Sequence, residues 1–217
     1  VLNPATHAED WIMMRTLTVL AMLVSFALSA PLFAAEFGVQ TFELPQGGER
    51  PHDVAVDAGG IVWYTAQRDG KLGRLEPATG KIDLIPLGEG SAPHGVIVGP
   101  DGAPWITDSG LNAIVRVDPA SREVKAWKLP EARGYTNLNT ATFDKSGRIW
   151  FTGQNGIYGR LDPKSGDMKV FDAPRGRGPY GITTTPSGDV YYASLAGNHI
   201  ARIDVATDAV TLIEPPT

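Results

Sequence analysis

The fold is decided by residues 92–130, which read APHGVIVGPDGAPWITDSGLNAIVRVDPASREVKAWKLP. The pattern of this stretch occurs once before it and twice after it. Each copy has a glycine three residues before an aromatic residue, at Gly60/Trp63, Gly102/Trp105, Gly147/Trp150 and Gly188/Tyr191. An arginine follows in each copy, at Arg74, Arg116, Arg160 and Arg202. Successive aromatic residues of this set are 42, 45 and 41 positions apart, so the chain contains four copies of one repeat.

Each copy contains four short segments rich in Val, Ile, Thr and Trp, in the second copy 95–98, 104–107, 113–118 and 123–129. The period of two in these segments predicts strands, and the Gly, Pro and Asp between them favour tight turns. A repeat of this length with four strands is typical of a β-propeller blade. We therefore predict an all-β fold, a β-propeller of four-stranded antiparallel blades at about 50–90, 91–134, 135–178 and 179–217. We expect the aromatic residues to pack between blades and the arginines to have structural or surface roles.

The strands of the repeat do not add up to a closed ring. Residues 41–45, TFELP, resemble the last strand of a copy, such as AWKLP at 126–130, but stand before the first complete copy. In a ring closed by strand exchange, such an N-terminal strand completes the final blade, so the number of outer strands should equal the number of inner sets of three strands. This chain has five outer strands but only four inner sets. We predict that the chain is a fragment with about four blades of a six- to eight-bladed propeller. A complete four-bladed ring with a spare strand is the alternative.

The N-terminal region predicts export. Residues 13–35 have the basic Arg15 near their start, an apolar run at 17–28 and small residues up to Ala35, which is the pattern of a signal peptide. Residues 1–12 are interpreted as non-native upstream translation, and 36–217 as the partial propeller. We expect a periplasmic or secreted bacterial protein that has no membrane contact after cleavage. An uncleaved N-terminal anchor is the alternative.

Charge and cysteine content limit the partners and the sources of stability. Without residues 1–34, the chain has 18 basic and 22 acidic side chains and no basic cluster, so we expect no nucleic-acid partner. The sequence contains no cysteine, and the exported protein must therefore be stable without disulfides. The composition leaves the oligomeric state open.

A polar residue stands eight positions before the glycine of each repeat. These residues are His52, His94, Asn139 and Tyr180. They begin the innermost strand of each blade, and the second strand returns Gln67, Asp108, Ser109 and Gln154 towards the same end. We predict a small-molecule ligand at this mouth of the central channel, in contact with His52, Asn139, Tyr180 and Gln67. A polar ring with purely structural hydrogen bonds is the alternative, and we interpret His199 as a surface residue.

Four segments resemble the streptogramin B (virginiamycin B) lyase family: RPHDV at 50–54, APHGV at 92–96, RIWFT at 148–152 and YGRLDP at 158–163. The resemblance covers 41–217. It implies a seven-bladed propeller that opens the lactone of cyclic depsipeptides by elimination, with Mg²⁺ and with histidines in Pro-His motifs of adjacent blades. It also implies that His94 is the general base and that His52 contacts the substrate. The family has a metal-binding glutamate two residues before the base, where this chain has Ala92. A second family glutamate follows the next strand, where this chain has Asp108 or Ser109, and the resemblance makes Asp108 the candidate ligand for Mg²⁺.

Three functions follow from these observations, and the sequence leaves open whether the protein is an enzyme. The first is a carbon–oxygen lyase that acts on a lactone or ester. The second is a non-catalytic periplasmic ligand-binding or scaffold propeller, which Ala92 favours. The third is a metal-dependent lactonase that resembles regucalcin-type propellers, for which Asp53 and Asp108 are the acidic candidates.

Overall fold

The structure is a computed structural model that describes residues 38–216. The compact unit that carries the fold begins at Phe42. The upstream segment predicted at 1–12 and the signal peptide predicted at 13–35 lie outside the described residues, so both stay predictions. Among the described residues, no helix is long and apolar enough to cross a membrane.

Sixteen strands form four separate sheets, each with four antiparallel strands in chain order. The first blade contains β1 (Val54–Val56), β2 (Val62–Ala66), β3 (Lys71–Glu76) and β4 (Lys81–Pro86). The second contains β5 (Pro93–Val98), β6 (Pro104–Asp108), β7 (Ala113–Val117) and β8 (Val124–Lys128). The third contains β9 (Leu138–Phe143), β10 (Ile149–Gly153), β11 (Ile157–Leu161) and β12 (Met168–Asp172). The fourth contains β13 (Pro179–Thr184), β14 (Val190–Ser194), β15 (His199–Ile203) and β16 (Val210–Ile213).

This arrangement confirms the predicted all-β fold of four-stranded antiparallel blades. The described helices are two single 3-10 turns, Gln67–Asp69 and Glu131–Arg133. Residues 41–45 form no strand. A strand needs a hydrogen-bonded neighbour, and the neighbour predicted for this segment belongs to a blade beyond the four described sheets. Its role in closing the ring therefore stays a prediction.

An aspartate in the hairpin between the first two strands of a blade holds both the turn and the repeated tryptophan. In the first blade, Asp57 accepts hydrogen bonds from the amides of Gly59 and Ile61 and from the indole of Trp63, at 2.9, 3.0 and 3.0 Å. The indoles of the next two blades donate in the same way, Trp105 to Asp101 at 3.1 Å and Trp150 to Asp144 at 2.8 Å. We call these three pairs the Asp–Trp hairpins. They allow a wide indole to be buried with its N–H satisfied.

The hydrophobic core lies between blades. One cluster joins the first and second blades through Trp63 and Ile106, and another joins the second and third through Trp105 and Phe151. The third cluster joins the last two blades and includes Trp150, Tyr158, Val190 and Tyr192. The predicted packing of the repeated tryptophans between blades is therefore confirmed.

The repeat arginines form ion pairs with aspartates of their own blade or of the next one. Arg116 contacts Asp101 at 2.7 Å, and Arg160 contacts Asp208 of the next blade at 2.6 Å. This confirms their structural role. His199 corrects the interpretation as a surface residue, because it is only 4% exposed. It shares the buried face of β15 with Ala201 and Ile203, as the alternation of a strand requires.

The first strands of successive blades lie side by side: β1 contacts β5, β5 contacts β9, and β9 contacts β13. They form the inner wall of the described propeller. This wall brings the starts of neighbouring inner strands together, and the predicted polar residues stand there. We call this region, defined by His52, His94, Asn139 and Tyr180, the inner-strand end.

Candidate functional site

The structure brings His52 and His94 into contact. His52 lies two residues before β1, and His94 lies in β5 of the next blade. Their ring centroids are 4.1 Å apart, and the ring planes are tilted by 53°. Because β1 and β5 are neighbours in the inner wall, a separation of 42 residues in the sequence becomes a direct side-chain contact.

His52 is exposed and has one ring nitrogen fixed by the main chain. Its Nδ1 lies 3.2 Å from the main-chain oxygen of His94. A carbonyl oxygen can only accept, so Nδ1 carries the proton in this contact. In the neutral ring, the lone pair of His52 therefore resides on Nε2. This nitrogen is the one that His52 can offer to a ligand.

His94 is held on both ring nitrogens by one residue, Asn139. Its Nδ1 lies 3.1 Å from the main-chain oxygen of Asn139, and its Nε2 lies 3.2 Å from the side-chain Nδ2 of the same residue. The carbonyl requires a proton on Nδ1, which leaves Nε2 to accept from the amide. Asn139 therefore selects the Nδ1–H tautomer of a neutral His94.

The surroundings of His94 also favour the neutral ring. Burial lowers the pKa of His94 below its ordinary value, and the neighbouring His52 lowers it further. The hydrogen bond to Asn139 and the negative charge of Asp53 act in the opposite direction but do not outweigh these effects. At neutral pH, His94 therefore has a lone pair, which is the form that a general base requires.

A buried threonine of each preceding blade fixes the carbonyl groups at the inner-strand end. Thr65 donates to the main-chain oxygen of His94 at 2.9 Å. Thr107 and Thr152 donate in the same way to the carbonyls of Asn139 and Tyr180. We call these three bonds the threonine ties. Because each tie crosses a blade junction, the positions of His94, Asn139 and Tyr180 each depend on the blade before them.

The other predicted ligand contacts are distributed unevenly. Asn139 is fully buried against His94, so its geometry does not favour the predicted direct contact with a ligand. Tyr180 is 37% exposed and stands in β13, two blades away from His94. Gln67 begins the 3-10 turn Gln67–Asp69, which lies against β5. The contacts of Tyr180 and Gln67 with a ligand stay predictions.

Asp108 has a structural environment. It is fully buried at the end of β6. Its Oδ1 accepts from the amides of Ala92 and Leu111, both at 2.9 Å, and its Oδ2 accepts from the Ser91 hydroxyl at 2.5 Å. Both oxygens are therefore used to hold the loop that leads into β5.

The described residues do not fit a Mg²⁺ site beside His94. Mg²⁺ prefers carboxylate oxygens and water as ligands. The position two residues before His94 has the methyl group of Ala92, and the carboxylate of Asp108 is already bonded to the protein. In the part of the chain that the structure describes, no three His, Asp or Glu side chains are grouped as a metal site requires.

A large cavity of the described residues does not coincide with the histidine pair. It has a volume of about 670 Å³ and lies between the second and third blades, lined by Trp105, Trp127, Arg116 and Lys125 among others. Its arginine is already paired with Asp101, and one face of Trp127 is covered by Lys125. His52 lines a smaller cavity of about 420 Å³ with mostly apolar walls, including Phe42, Leu44 and Tyr64. The chemistry therefore favours the histidine pair as the candidate site.

Sequence reasoning missed two features of the site. The threonine ties have a signal, because Thr65, Thr107 and Thr152 each stand two residues after the repeated tryptophan. The strand-joining role of Asp53, which the sequence suggested only as an acidic candidate of a lactonase, has no signal in the repeat, since its position is Gly95 in the next copy. Its carboxylate accepts from the amide of Val96 at 3.1 Å and so joins the first two inner strands.

The family model described as the virginiamycin B lyase family matches residues 32–213. A solved structure of a catalytically inactive histidine-to-alanine variant of virginiamycin B lyase from Staphylococcus aureus, with quinupristin, is 29% identical, with a TM-score of 0.75. That match covers 84% of this chain and 61% of the other. A streptogramin B lyase structure is 23% identical, with a TM-score of 0.72, and the match covers 83% of this chain and 59% of the other.

A more distant match shows the fold alone. It is the extracellular domain of a protein described as a one-component system from B. thetaiotaomicron, at 16% identity and a TM-score of 0.60, covering 83% of this chain and 26% of that one. No curated protein matches the chain. The chain spans about three fifths of the length of the lyase structures that it matches. Since the family model extends over most of the sequence, the chain belongs to the virginiamycin B lyase family.

Proposed function

We propose that this protein is an exported lyase that opens the lactone of a cyclic depsipeptide by elimination, with His94 as the general base and His52 as a substrate contact. The observation that carries the proposal is the contact of the two rings at 4.1 Å across a blade junction. Family membership supports the same reaction class, as does the inactive histidine variant of the S. aureus enzyme with quinupristin.

Elimination requires a base that is placed next to an acidic C–H group of the substrate. The base takes the proton from the carbon next to a carbonyl, the C–H electrons form the new carbon–carbon double bond, and the bond from the next carbon to the lactone oxygen breaks. The lactone oxygen leaves as a carboxylate. His94 suits the first step because its lowered pKa keeps the ring neutral, and Nε2 can accept the proton once the side-chain amide of Asn139 has moved away from it. His52 suits a contact with a polar group of the substrate because its exposed ring offers Nε2.

Export is part of this proposal. The signal-peptide pattern at 13–35 supports it, because that pattern directs a protein to the periplasm or the medium. A depsipeptide in the medium would then reach the enzyme without crossing the inner membrane. The proposed partner is this small molecule alone.

The test uses the whole protein with quinupristin as the substrate, and chromatography to separate the ring-opened product. Replacing His94 with alanine is expected to lower the rate by about 100-fold or more, the usual contribution of a general base. His52→Ala is expected mainly to raise KM. His199→Ala is the control, because it removes a buried histidine of another blade and should leave the rate per folded molecule unchanged. Undiminished turnover in His94→Ala would contradict the proposal.

A binding protein without catalysis is the second candidate, and two observations favour it. The amide of Asn139 occupies Nε2 of His94, and the residues around that ring supply no free carboxylate for Mg²⁺. Saturable quinupristin binding without turnover in the wild type would establish this candidate. Ala92→Glu sharpens the distinction, because a lyase that lacks only its metal ligand should gain a Mg²⁺-dependent rate. The regucalcin-type lactonase has less support, since Asp53 and Asp108 are both bonded to main-chain amides.

A further inference from the structure

The side-chain oxygen of Asn139 has no hydrogen-bond partner, although it is buried. Among the described residues, only four buried side-chain atoms share this condition, and the other three are Tyr64 Oη, Tyr192 Oη and His199 Nε2. Buried polar atoms in folded proteins nearly always have a partner, so an exception at a candidate site calls for a physical explanation. Asn139 Oδ1 belongs to the amide whose nitrogen contacts His94.

The hydrogen-bond donors and acceptors of Asn139 complement those of the neutral His94 ring. The main-chain oxygen of Asn139 fixes the proton on Nδ1, and the amide Nδ2 donates to the lone pair of Nε2. When His94 takes up a proton, Nε2 becomes a donor and can no longer accept from Nδ2. The ring then needs an acceptor at the place that the amide nitrogen occupied.

Asn139 already contains that acceptor. A half turn of the amide about its terminal bond exchanges Nδ2 and Oδ1, which have nearly the same shape. Oδ1 would then face Nε2–H, and the main-chain bond to Nδ1 would remain. The backbone of Asn139 is fixed by Thr107, so the amide alone has to turn.

We propose that Asn139 is a positioning residue that holds His94 in both of its protonation states, donating from Nδ2 to the neutral ring and accepting through Oδ1 from the protonated ring. This inference rests on the proposed role of His94 as the base. It assigns Asn139 to the base rather than to the substrate, and it explains why an oxygen without a partner is retained in a fully buried side chain.

The charged and titratable groups that face His94 come from the first blade. They are His52, whose ring contacts that of His94, and Asp53, whose charge opposes the effect of His52. Neither is bonded to Nε2, so Asn139 is the group whose replacement changes the environment of that nitrogen most directly.

The test is NMR of the whole protein with ¹⁵N-labelled histidine, which reports the tautomer and the pKa of His94 without any substrate. The wild type is expected to show the Nδ1–H tautomer. Asn139→Asp keeps the shape but places a carboxylate at Nε2, so the pKa of His94 is expected to rise by about 1 to 2 units. Asn139→Leu offers no acceptor to the protonated ring, so the pKa is expected to fall below that of the wild type.

Two results would overturn the inference: an Nε2–H tautomer in the wild type, or a pKa of His94 in Asn139→Asp that equals the wild-type value. If Asn139→Leu fails to fold, the aspartate variant still decides. The acid limb of the pH–rate profile should move with the pKa of His94 in Asn139→Asp, which a merely structural role would not produce. The two proposals can fail separately. If His94 titrates as expected but the His94→Ala variant still turns over quinupristin, the proposed function is refuted and this inference stands.

Discussion

The blades have two ends that differ in how strictly the repeat is kept. One carries the Asp–Trp hairpins and is called the hairpin end, and the other is the inner-strand end. At the hairpin end, the Asp–Trp hairpins recur in three successive blades with indole hydrogen bonds of 3.0, 3.1 and 2.8 Å, although the aspartate stands six residues before the tryptophan in the first and third blades and four residues before it in the second. At the inner-strand end, the corresponding position is occupied by a different residue in almost every blade. These residues are His52, His94, Asn139 and Tyr180. The main-chain contacts nevertheless repeat at that end through the threonine ties.

The difference shows which parts of a blade serve packing and which are free to vary. Each junction between blades has the same geometric problem, a sheet face that must be buried against the next sheet, so the same aromatic solution recurs. A side chain at the inner-strand end has no such constraint, because the threonine tie contacts only its carbonyl. A site in a repeat fold requires both properties: main-chain contacts that repeat from blade to blade, and side chains at the same positions that differ.

The largest expected effect comes from breaking the hairpin end. Trp150→Ala removes a fully buried indole from the cluster between the last two blades, together with one of the hydrogen bonds that Asp144 accepts. We expect the free energy of unfolding to fall by about 3–5 kcal/mol. Urea unfolding measures this, with Trp127→Ala, whose side chain is only half-buried, as the milder control. A loss below about 1 kcal/mol would show that the hairpin end does not carry the packing.

The next effect comes from breaking the backbone of the inner-strand end. Thr107→Val keeps the shape of the side chain but removes the tie to the Asn139 carbonyl and the bond that Thr107 accepts from the Gly95 amide. We expect a loss of about 1–3 kcal/mol, the usual cost of buried groups without partners. Thr211→Val, at an exposed position, is the control and should change the free energy of unfolding by less than about 0.5 kcal/mol. Equal effects of the two changes would refute the structural role of the ties.

A smaller effect is expected from pH. The folded state lowers the pKa of His94 from the ordinary value of 6.5, so the unfolded chain binds the proton more readily in that range. The contribution of His94 to stability is therefore fully present above pH 6.5 and decreases as the pH falls through the lowered pKa. Urea midpoints across this range measure the trend. His94→Gln should flatten it, and an unchanged slope in that variant would assign the trend to other groups.

The smallest effect on folding is expected at Tyr180. Its hydroxyl belongs to a side chain that is 37% exposed, and the threonine ties contact only its carbonyl. We expect Tyr180→Phe to change the free energy of unfolding by less than about 0.5 kcal/mol. If the predicted ligand contact is real, quinupristin affinity falls while stability stays constant. An unchanged affinity would remove Tyr180 from the site.

The fold could be predicted from the sequence because its signals are local and repeated. The turn residues around Asp57 and Asp101 and the spacing of the tryptophans specify hairpins within a few residues. Four copies of such a signal reinforce one another. The strand expected at 41–45 shows the limit, since a strand depends on a neighbour as well as on its own residues.

The site could be predicted only in part. Matching positions in adjacent blades are enough to anticipate the contact of His52 with His94. The burial of Asn139 and the bonding of Asp108 to Ser91 depend on side-chain directions and on a loop conformation, and neither is encoded in the spacing of the repeat. His199 was misjudged for the same reason, because its neighbours in sequence do not reveal which face of β15 is covered.

The threonine ties also bear on how such proteins can be rebuilt by moving blades. The carbonyl beside a site residue is held by a hydroxyl that the preceding blade contributes, as with Thr65 and His94. A single blade transplanted into another propeller would bring its histidine but leave behind the group that places it. The smallest unit that can be transferred with its site intact is therefore a pair of adjacent blades. Exchange of single blades would preserve the fold but displace the site residues.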